Sequence, residues 1–363
     1  MNASGETYKF DSLRLESGKI IKNAQIRYKT FGELNKAGDN CVVICHALTG
    51  NASVDEWWAP LLGPNKLFDT NKYMVFCANI LGSCYGSTGP RSTNPDTGMR
   101  YGSSFPAVTV RDSVRSHSQV LKSLGVNQIQ FVLGGSLGGM QALEWGFLEG
   151  SDWVKSVVAI ACGAKHTAWQ IAISEVQRGA ILRDPTWENG QGQAHNGLGI
   201  ARQIAMISYR SHNAYESKFG RKLTKSSDFE DVNQAIVKGV TPTFDVEGYL
   251  QYQDSKFRSR FDAASYVACT RKMDTHDVGR GRGGIETALG SLTQPTLVIG
   301  FDGDLLYPMK EQLELAHHIP NSTMKEMTSD AGHDAFLLEY DAIQNACESF
   351  FVENDIKPPS ESS

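Results

Sequence analysis

Short runs of apolar residues, each closed by polar or turn residues, recur at Cys41–His46, Tyr73–Asn79, Ile129–Gly134, Val157–Ala161 and Thr296–Gly300. Runs of this length without apolar/polar alternation predict strands buried on both faces, as in a parallel sheet. Between two of them, VRDSVRSHSQVLKSLG sets Val110, Val114, Leu121 and Leu124 at near-helical spacing, with Asp112 as the expected cap and Gly125 as the stop. Strands alternating with helices predict a mostly parallel, doubly wound α/β sheet.

From about His166 to Leu292 the rhythm changes. Helix-like stretches at Thr167–Ile181, Gly199–Tyr209, Asp231–Val237 and Asp262–Met273 follow one another with few strand-like runs, before PTLVIG restores the strand pattern. A core assembled from residues 1–165 and 293–363, with residues 166–292 inserted as a helical lid, is the expected organisation, and 363 residues suit one core with one large insertion. No repeat of domain-building period occurs, and the tail DIKPPSESS reads as a disordered terminus.

Composition narrows the class. Forty acidic against 35 basic residues, interspersed, give a net charge of −5 and leave no extended basic face for a nucleic-acid backbone. The seven cysteines are scattered and mostly sit in apolar runs such as CVVICH and MVFCANI, the usage of reduced, buried thiols in a reducing compartment. The N-terminal MNASGETYKFDSLRLESGK has no basic segment followed by an apolar one, and no run is long enough to span a membrane, so neither secretion nor insertion is signalled.

The chemistry concentrates around one serine. QIQFVLG leads into Gly134-Gly135-Ser136-Leu137-Gly138 and then a helical-looking GMQALEWGFL, which resembles the strand–turn–helix nucleophile elbow of the α/β-hydrolase fold. A bare G-x-S-x-G is more often a glycine-rich turn with an incidental serine. Here an acid and a histidine follow in the order such a triad needs: Asp304 in FDGDLLYP after PTLVIG, and His333 in SDAGHDAFL. Asp302 is the alternative acid. An oxyanion site needs two backbone N–H groups, expected from Leu137 and from Leu48 in the loop of CVVICHALTG. His46 reads as a core or loop histidine that positions this turn.

HALTG, NILGSCYGSTGP, NPDTG, FPAVTVRD, GGSLGGMQALEW, GLGIARQIA, RFDAASY, MDTHDVGRGRGG and GHDAFL occur in order over nearly the whole chain. Together they resemble the homoserine O-acetyltransferase family. The resemblance implies transfer of acetyl from acetyl-CoA, a co-substrate rather than a bound cofactor, to the hydroxyl of L-homoserine, in cytoplasmic methionine biosynthesis, by a homodimer. It places the nucleophile on Ser136, the acid on Asp304 and the base on His333. The arginine that holds the amino-acid substrate falls on Arg202 and a substrate-contacting acid on Asp334, with Arg210 as the alternative arginine. Ile200, Ile204 and Ile207 form one helical stripe, and Arg202 points away from it, free to reach a cleft. L-Serine as acceptor, succinyl-CoA as donor, and a plain esterase or thioesterase using the same triad are the competing expectations. Gly303 stands where family members commonly carry serine, and RDPTWENGQGQAHNG is a stretch of the chain's own.

Other features read as structural. Gly279–Gly284 is a basic turn without a preceding strand, in which Arg280 or Arg282 could meet the phosphates of coenzyme A. His317 and His318 have no ligand cluster around them, so no metal site is expected. Trp57 and Trp58 read as core or interface packing.

Overall fold

The computed structural model describes residues 5–148, 152–224 and 229–357. Eight strands form one sheet: β1 (Glu6–Arg14), β2 (Ile20–Phe31), β3 (Cys41–Cys45), β4 (Met74–Ala78), β5 (Ile129–Gly135), β6 (Val157–Ile160), β7 (Thr296–Phe301) and β8 (Ser322–Met327). Their spatial order is β1-β2-β4-β3-β5-β6-β7-β8. The pairings from β4 through β8 are parallel, and β1 and β2 add antiparallel strands at one side. The five apolar runs are the five wholly buried strands β3 to β7. Ladder pairing on both sides leaves the two faces to mainly apolar side chains, and the polar exceptions Gln130 of β5 and Thr296 of β7 donate to the Asp39 and Gln294 carbonyls.

Among the described residues twelve α-helices surround or extend the sheet: α1 (Val54–Trp57), α2 (Val110–Ser123), α3 (Leu137–Gly146), α4 (Ala168–Leu182), α5 (His195–Tyr209), α6 (His212–Lys218), α7 (Val232–Val237), α8 (Asp245–Arg258), α9 (Ala263–Asp274), α10 (Ile285–Gly290), α11 (Met309–His318) and α12 (Tyr340–Glu353). Val114, Val120 and Leu121 of α2 and Ala142 and Trp145 of α3 pack on one sheet face with Val43 and Val132. Ile343, Cys347 and Phe350 of α12 cover the other with Val42, Ile44 and Phe131. The expected cap of α2 is shifted. Thr109 is the cap residue and Asp112 its reciprocal partner: Thr109 Oγ1 accepts from the Asp112 amide at 3.1 Å and Asp112 Oδ2 from the Thr109 amide at 2.9 Å.

The helices between β6 and β7 bury their own apolar side chains against the sheet's C-terminal end. Leu198 and Ala201 of α5, Phe257 of α8 and Tyr266 of α9 share a cluster with Leu48, Ile80, Leu137 and Met140. Within this group α5 packs between α4 and α8. The part of the expected tail from residue 358 onward lies outside the described residues.

All seven cysteines are free thiols, and six are buried. Among the described residues no helix is long and apolar enough to cross a membrane.

Candidate active site

Parallel strands that end side by side leave a crevice beyond their C-terminal ends, where loops can present side chains to a common point. Four such loops meet here: residues after β3, β5, β7 and β8. Directly after β5, Ser136 has φ 59° and ψ −125°, a left-handed conformation that a serine adopts only under constraint from its surroundings. The constraint is visible. The Ser136 amide donates to the Ile160 carbonyl at 2.9 Å and its carbonyl accepts from the Met140 amide at 3.1 Å. A Cβ at Gly134 would run into the Gly138 backbone, and one at Gly138 into the Cys45 carbonyl. Only glycines let β3, β5 and α3 approach this closely. The N-terminus of α3 lies behind Ser136 and favours negative charge in front of it.

Asp304 and His333 meet after β7 and β8. His333 Nδ1 lies 2.7 Å from Asp304 Oδ2, and Asp304 Oδ1 accepts from the amides of Leu306 and Tyr307, both at 2.8 Å. The carboxylate is thereby fixed on one oxygen and accepts from His333 through the other, which makes Nδ1 the donor nitrogen of the ring. Asp302, the alternative acid, instead accepts from the Ser329 amide at 3.2 Å, bracing the loop that leads to His333. At Gly303 a Cβ would press on the Ser329 carbonyl, which accounts for glycine between the two aspartates. The His333 ring is held by Tyr307, stacked at 5.1 Å between centroids, and by Phe336 and Tyr209 at 5.4 and 5.7 Å.

Ser136 and His333 line one cavity of about 630 Å³ together with Leu48, Arg202, Tyr209, Asp334, Trp57, Lys256 and Arg260. Leu137 lies beneath it as the first residue of α3, where an N–H has no acceptor within the helix. Arg202 reaches the cavity from α5, its guanidinium 5.1 Å from the Phe257 ring centroid and 5.9 Å from that of Tyr209. Its Nε is buried with no hydrogen-bond partner among the described residues. The isoleucine stripe is not what orients it. Ile200 and Ile207 are 48% and 58% exposed, and α5 buries Gly197, Leu198, Ala201 and Ala205 instead. Gly197 lets α5 lie close to α4, where a Cβ would meet the Ala180 carbonyl, and Arg202 lies on the side of α5 that faces Phe257 of α8.

Asp334 follows His333 into the cavity and forms an ion pair with Arg210 Nε at 2.9 Å. Burial raises the Asp334 carboxyl above its ordinary range, and Arg210, followed by His333 and Arg202, opposes that rise. Arg210 is thus a partner of the acid rather than a second cavity arginine. Arg260 opens the RFDAASY block and carries no site signal of its own in the sequence. Its Nη1 donates to the Thr49 carbonyl at 2.9 Å and to the Tyr85 hydroxyl at 2.8 Å, tying the end of α8 to the loop after β3. Tyr209 and Tyr307 likewise carry no sequence signal, because they reach His333 from α5 and from the loop after β7, whereas Phe336 shares the GHDAFL turn with His333.

The remaining motifs resolve elsewhere. Arg280 pairs through both terminal nitrogens with Glu16, at 2.9 and 3.0 Å, and Arg282 pairs with Glu144 at 3.1 and 2.7 Å. Neither lines the cavity that contains Ser136. The basic turn clips the chain back onto the β1–β2 turn, α2 and α3. Trp58 is core, donating to the Phe336 carbonyl at 3.0 Å, whereas Trp57 forms cavity wall. His317 and His318 stack edge to face on α11, 4.8 Å apart, and no group of three or more metal-ligating side chains exists among the described residues.

A serine in an elbow after the central strands, and an Asp–His pair after the last two, define an α/β-hydrolase fold, and a family model described as "alpha/beta hydrolase fold" matches residues 40–340. The sequence similarities are narrower. A homoserine O-acetyltransferase of Salinibacter ruber is 45% identical over 94% of this chain and 95% of its own, and one of Nostoc punctiforme is 46% identical over 91% of each. The chain belongs to the homoserine O-acetyltransferase family, a family of acyltransferases. Among solved structures, esterase E22 superposes with a TM-score of 0.84 at 26% identity, covering 95% of this chain and 98% of that one.

Proposed function

We propose that this protein transfers an acetyl group from acetyl-CoA to the hydroxyl of L-homoserine through an acetyl-Ser136 intermediate, an early step of methionine biosynthesis in the cytoplasm. The observation that carries the reading is the placement of Arg202 and Asp334 in the cavity that holds Ser136 and His333. A guanidinium with a buried, unpaired Nε suits an α-carboxylate, and a carboxylate held by Arg210 suits an α-ammonium. A simple esterase has no use for such a zwitterion clamp.

In the first half-reaction His333 Nε2 removes the Ser136 proton as Oγ attacks the thioester carbonyl, and the oxyanion is received by the Leu48 and Leu137 amides. Collapse breaks the C–S bond, and the His333 proton leaves with the coenzyme A thiol. In the second, His333 takes the hydroxyl proton of the bound amino acid. The oxygen attacks the acetyl carbonyl, and the proton returns to Ser136 Oγ as the ester forms. The helices between β6 and β7 serve as a lid that keeps water from competing and holds the acceptor in line. The half-exposed Ile200 and Ile207 on α5 support a homodimer.

Free thiol release measured with acetyl- or succinyl-CoA, and with L-homoserine, L-serine or no acceptor, tests the proposal. Fast release is expected only with acetyl-CoA and L-homoserine together. Equal release without acceptor would make the protein a hydrolase, and fast release from the other donor or acceptor would reassign the substrate. Undiminished turnover in Ser136→Ala would sink the acyl-serine route.

A further inference from the structure

His46 directly precedes the peptide unit that supplies one proposed oxyanion donor, and its ring contacts fix its protonation. The Ile80 amide donates to His46 Nε2 at 3.2 Å. A backbone N–H can only donate, so Nε2 carries no proton and the neutral imidazole must bear it on Nδ1. Nδ1 in turn lies 2.8 Å from the Ala47 carbonyl oxygen, to which it donates. The same oxygen accepts from the Gly50 amide at 2.9 Å.

The Ala47 carbonyl and the Leu48 N–H belong to one peptide plane. No peptide bond among the described residues is cis, so the two dipoles point in opposite directions. Two donors gripping the Ala47 oxygen therefore turn the Leu48 N–H the other way. Among the described residues that N–H has no acceptor, and Leu48 lines the cavity beside Ser136 and His333. Donation to the carbonyl also polarises the peptide, which strengthens its N–H as a donor. A third brace comes from the nucleophile helix: Gln141 Nε2 donates to the His46 carbonyl at 3.0 Å and to the Leu137 carbonyl at 3.3 Å, coupling the two loops that carry the oxyanion amides.

We propose that His46 is a positioning residue for acyl transfer: as the neutral, Nδ1-protonated imidazole bridging the Ile80 amide to the Ala47 carbonyl, it aims the Leu48 N–H at the oxyanion. Burial supports this state by holding the ring's pKa down at about 4. The inference rests on the acyl-serine reading above.

Asparagine places its amide near the position of Nδ1 and glutamine near that of Nε2, so the two substitutions separate the two contacts. Pre-steady-state acetylation of Ser136 by acetyl-CoA is expected to fall about 100-fold in His46→Gln, the range for loss of one oxyanion donor. The KM for acetyl-CoA should move little, and His46→Asn should recover most of the rate. In ¹⁵N-histidine spectra of the unaltered protein, the resonance pair missing from His46→Asn should show the Nδ1–H tautomer. An acetylation rate in His46→Gln within threefold of the unaltered protein, or an Nε2–H or doubly protonated ring, overturns the proposal. The spectrum decides even if the variants fold poorly. Ser136→Ala run in parallel separates the two failures: if it is active the acyl-serine reading falls, and if it is dead while His46→Gln is fast only the role of His46 falls.

Discussion

Arg210 Nε lies 2.9 Å from Asp334 Oδ2, and this pair favours the charged form of the acid that lines the cavity beside His333. Without Arg210, burial would push the Asp334 carboxyl further toward its neutral form, in which it could no longer pair with an ammonium group. Arg210→Gln is therefore expected to raise the KM for the amino-acid acceptor about tenfold, the loss of one charge-assisted contact of roughly 1.5 kcal/mol. The KM for acetyl-CoA should stay near its original value. Steady-state kinetics with each substrate varied in turn checks this, and a rise confined to the donor would contradict it.

Three buried histidines give stability a defined pH dependence. Burial holds His117 at about 3 and His46 and His276 at about 4, below the ordinary 6.5 of an unfolded chain. Between about pH 6.5 and 4 the unfolded state binds protons that the folded state refuses, so stability rises with pH there and is lost as pH falls. Each histidine contributes a limiting slope of about 1.4 kcal/mol per pH unit. Burial raises the Glu311 and Asp334 carboxyls, which opposes this trend at the lower end. In His117→Asn the slope of unfolding free energy against pH, from urea titrations, should drop by up to that amount. An unchanged slope would mean that His117 is not held neutral.

Glu144 is 3% exposed and receives Arg111 Nε and Arg282 Nη1 at 3.1 Å each, so its charge is what makes two cations tolerable at this depth. Glu144→Gln should lower unfolding free energy by about 3 kcal/mol, the cost of breaking a buried ion pair. Glu16→Gln, which frees the more exposed Arg280 and removes one contact of Arg111 while Arg111 keeps Glu144 and the Asp277 carbonyl, should cost less than Glu144→Gln. Urea unfolding of the two variants tests the ranking. Equal losses would argue that the MDTHDVGRGRGG turn is not clipped through Glu144.

The sequence pattern reads strands well where both faces are buried and poorly at the sheet's edges. β1 and β2 alternate apolar residues with charges, as in KFDSLR and QIRYKTF, and β8 is half-buried except for the exposed Glu326, so none of the three forms a continuous apolar run. α8 escapes for a similar reason: Phe257 is its one buried residue among fourteen, too thin a stripe to show a period. On α5 the period is visible but misleading, because its core side carries Gly197, Leu198, Gly199, Ala201, Ala205 and Met206 while Ile200 and Ile207 face outward. The order Ser136, Asp304, His333 is legible because those residues sit at strand ends. The contact of Tyr209 with the His333 ring and the Arg260 tie to Thr49 are not, since these residues lie far apart in sequence and meet only through the packing of the helices between β6 and β7 on the sheet.

The elbow glycines lead to the last prediction. At Gly138 an added Cβ meets the Cys45 carbonyl, with the Cys45 carbonyl carbon at 3.0 Å and that of His46 at 3.4 Å, all backbone atoms that cannot rotate aside. Relief requires α3 to move away from β3, carrying Ser136 and the Leu137 amide with it and separating them from the Leu48 amide. A shift of about 1 Å in a reacting group costs on the order of 100-fold in rate. Gly138→Ala is therefore expected to fold with a lowered Tm and to lose about 100-fold in kcat. Gly290→Ala, at the end of α10 with open space around it, should keep both near their original values. Calorimetry with acetylation kinetics on the two variants checks the contrast. Full activity in Gly138→Ala would show that β3 and α3 tolerate separation without disturbing the nucleophile.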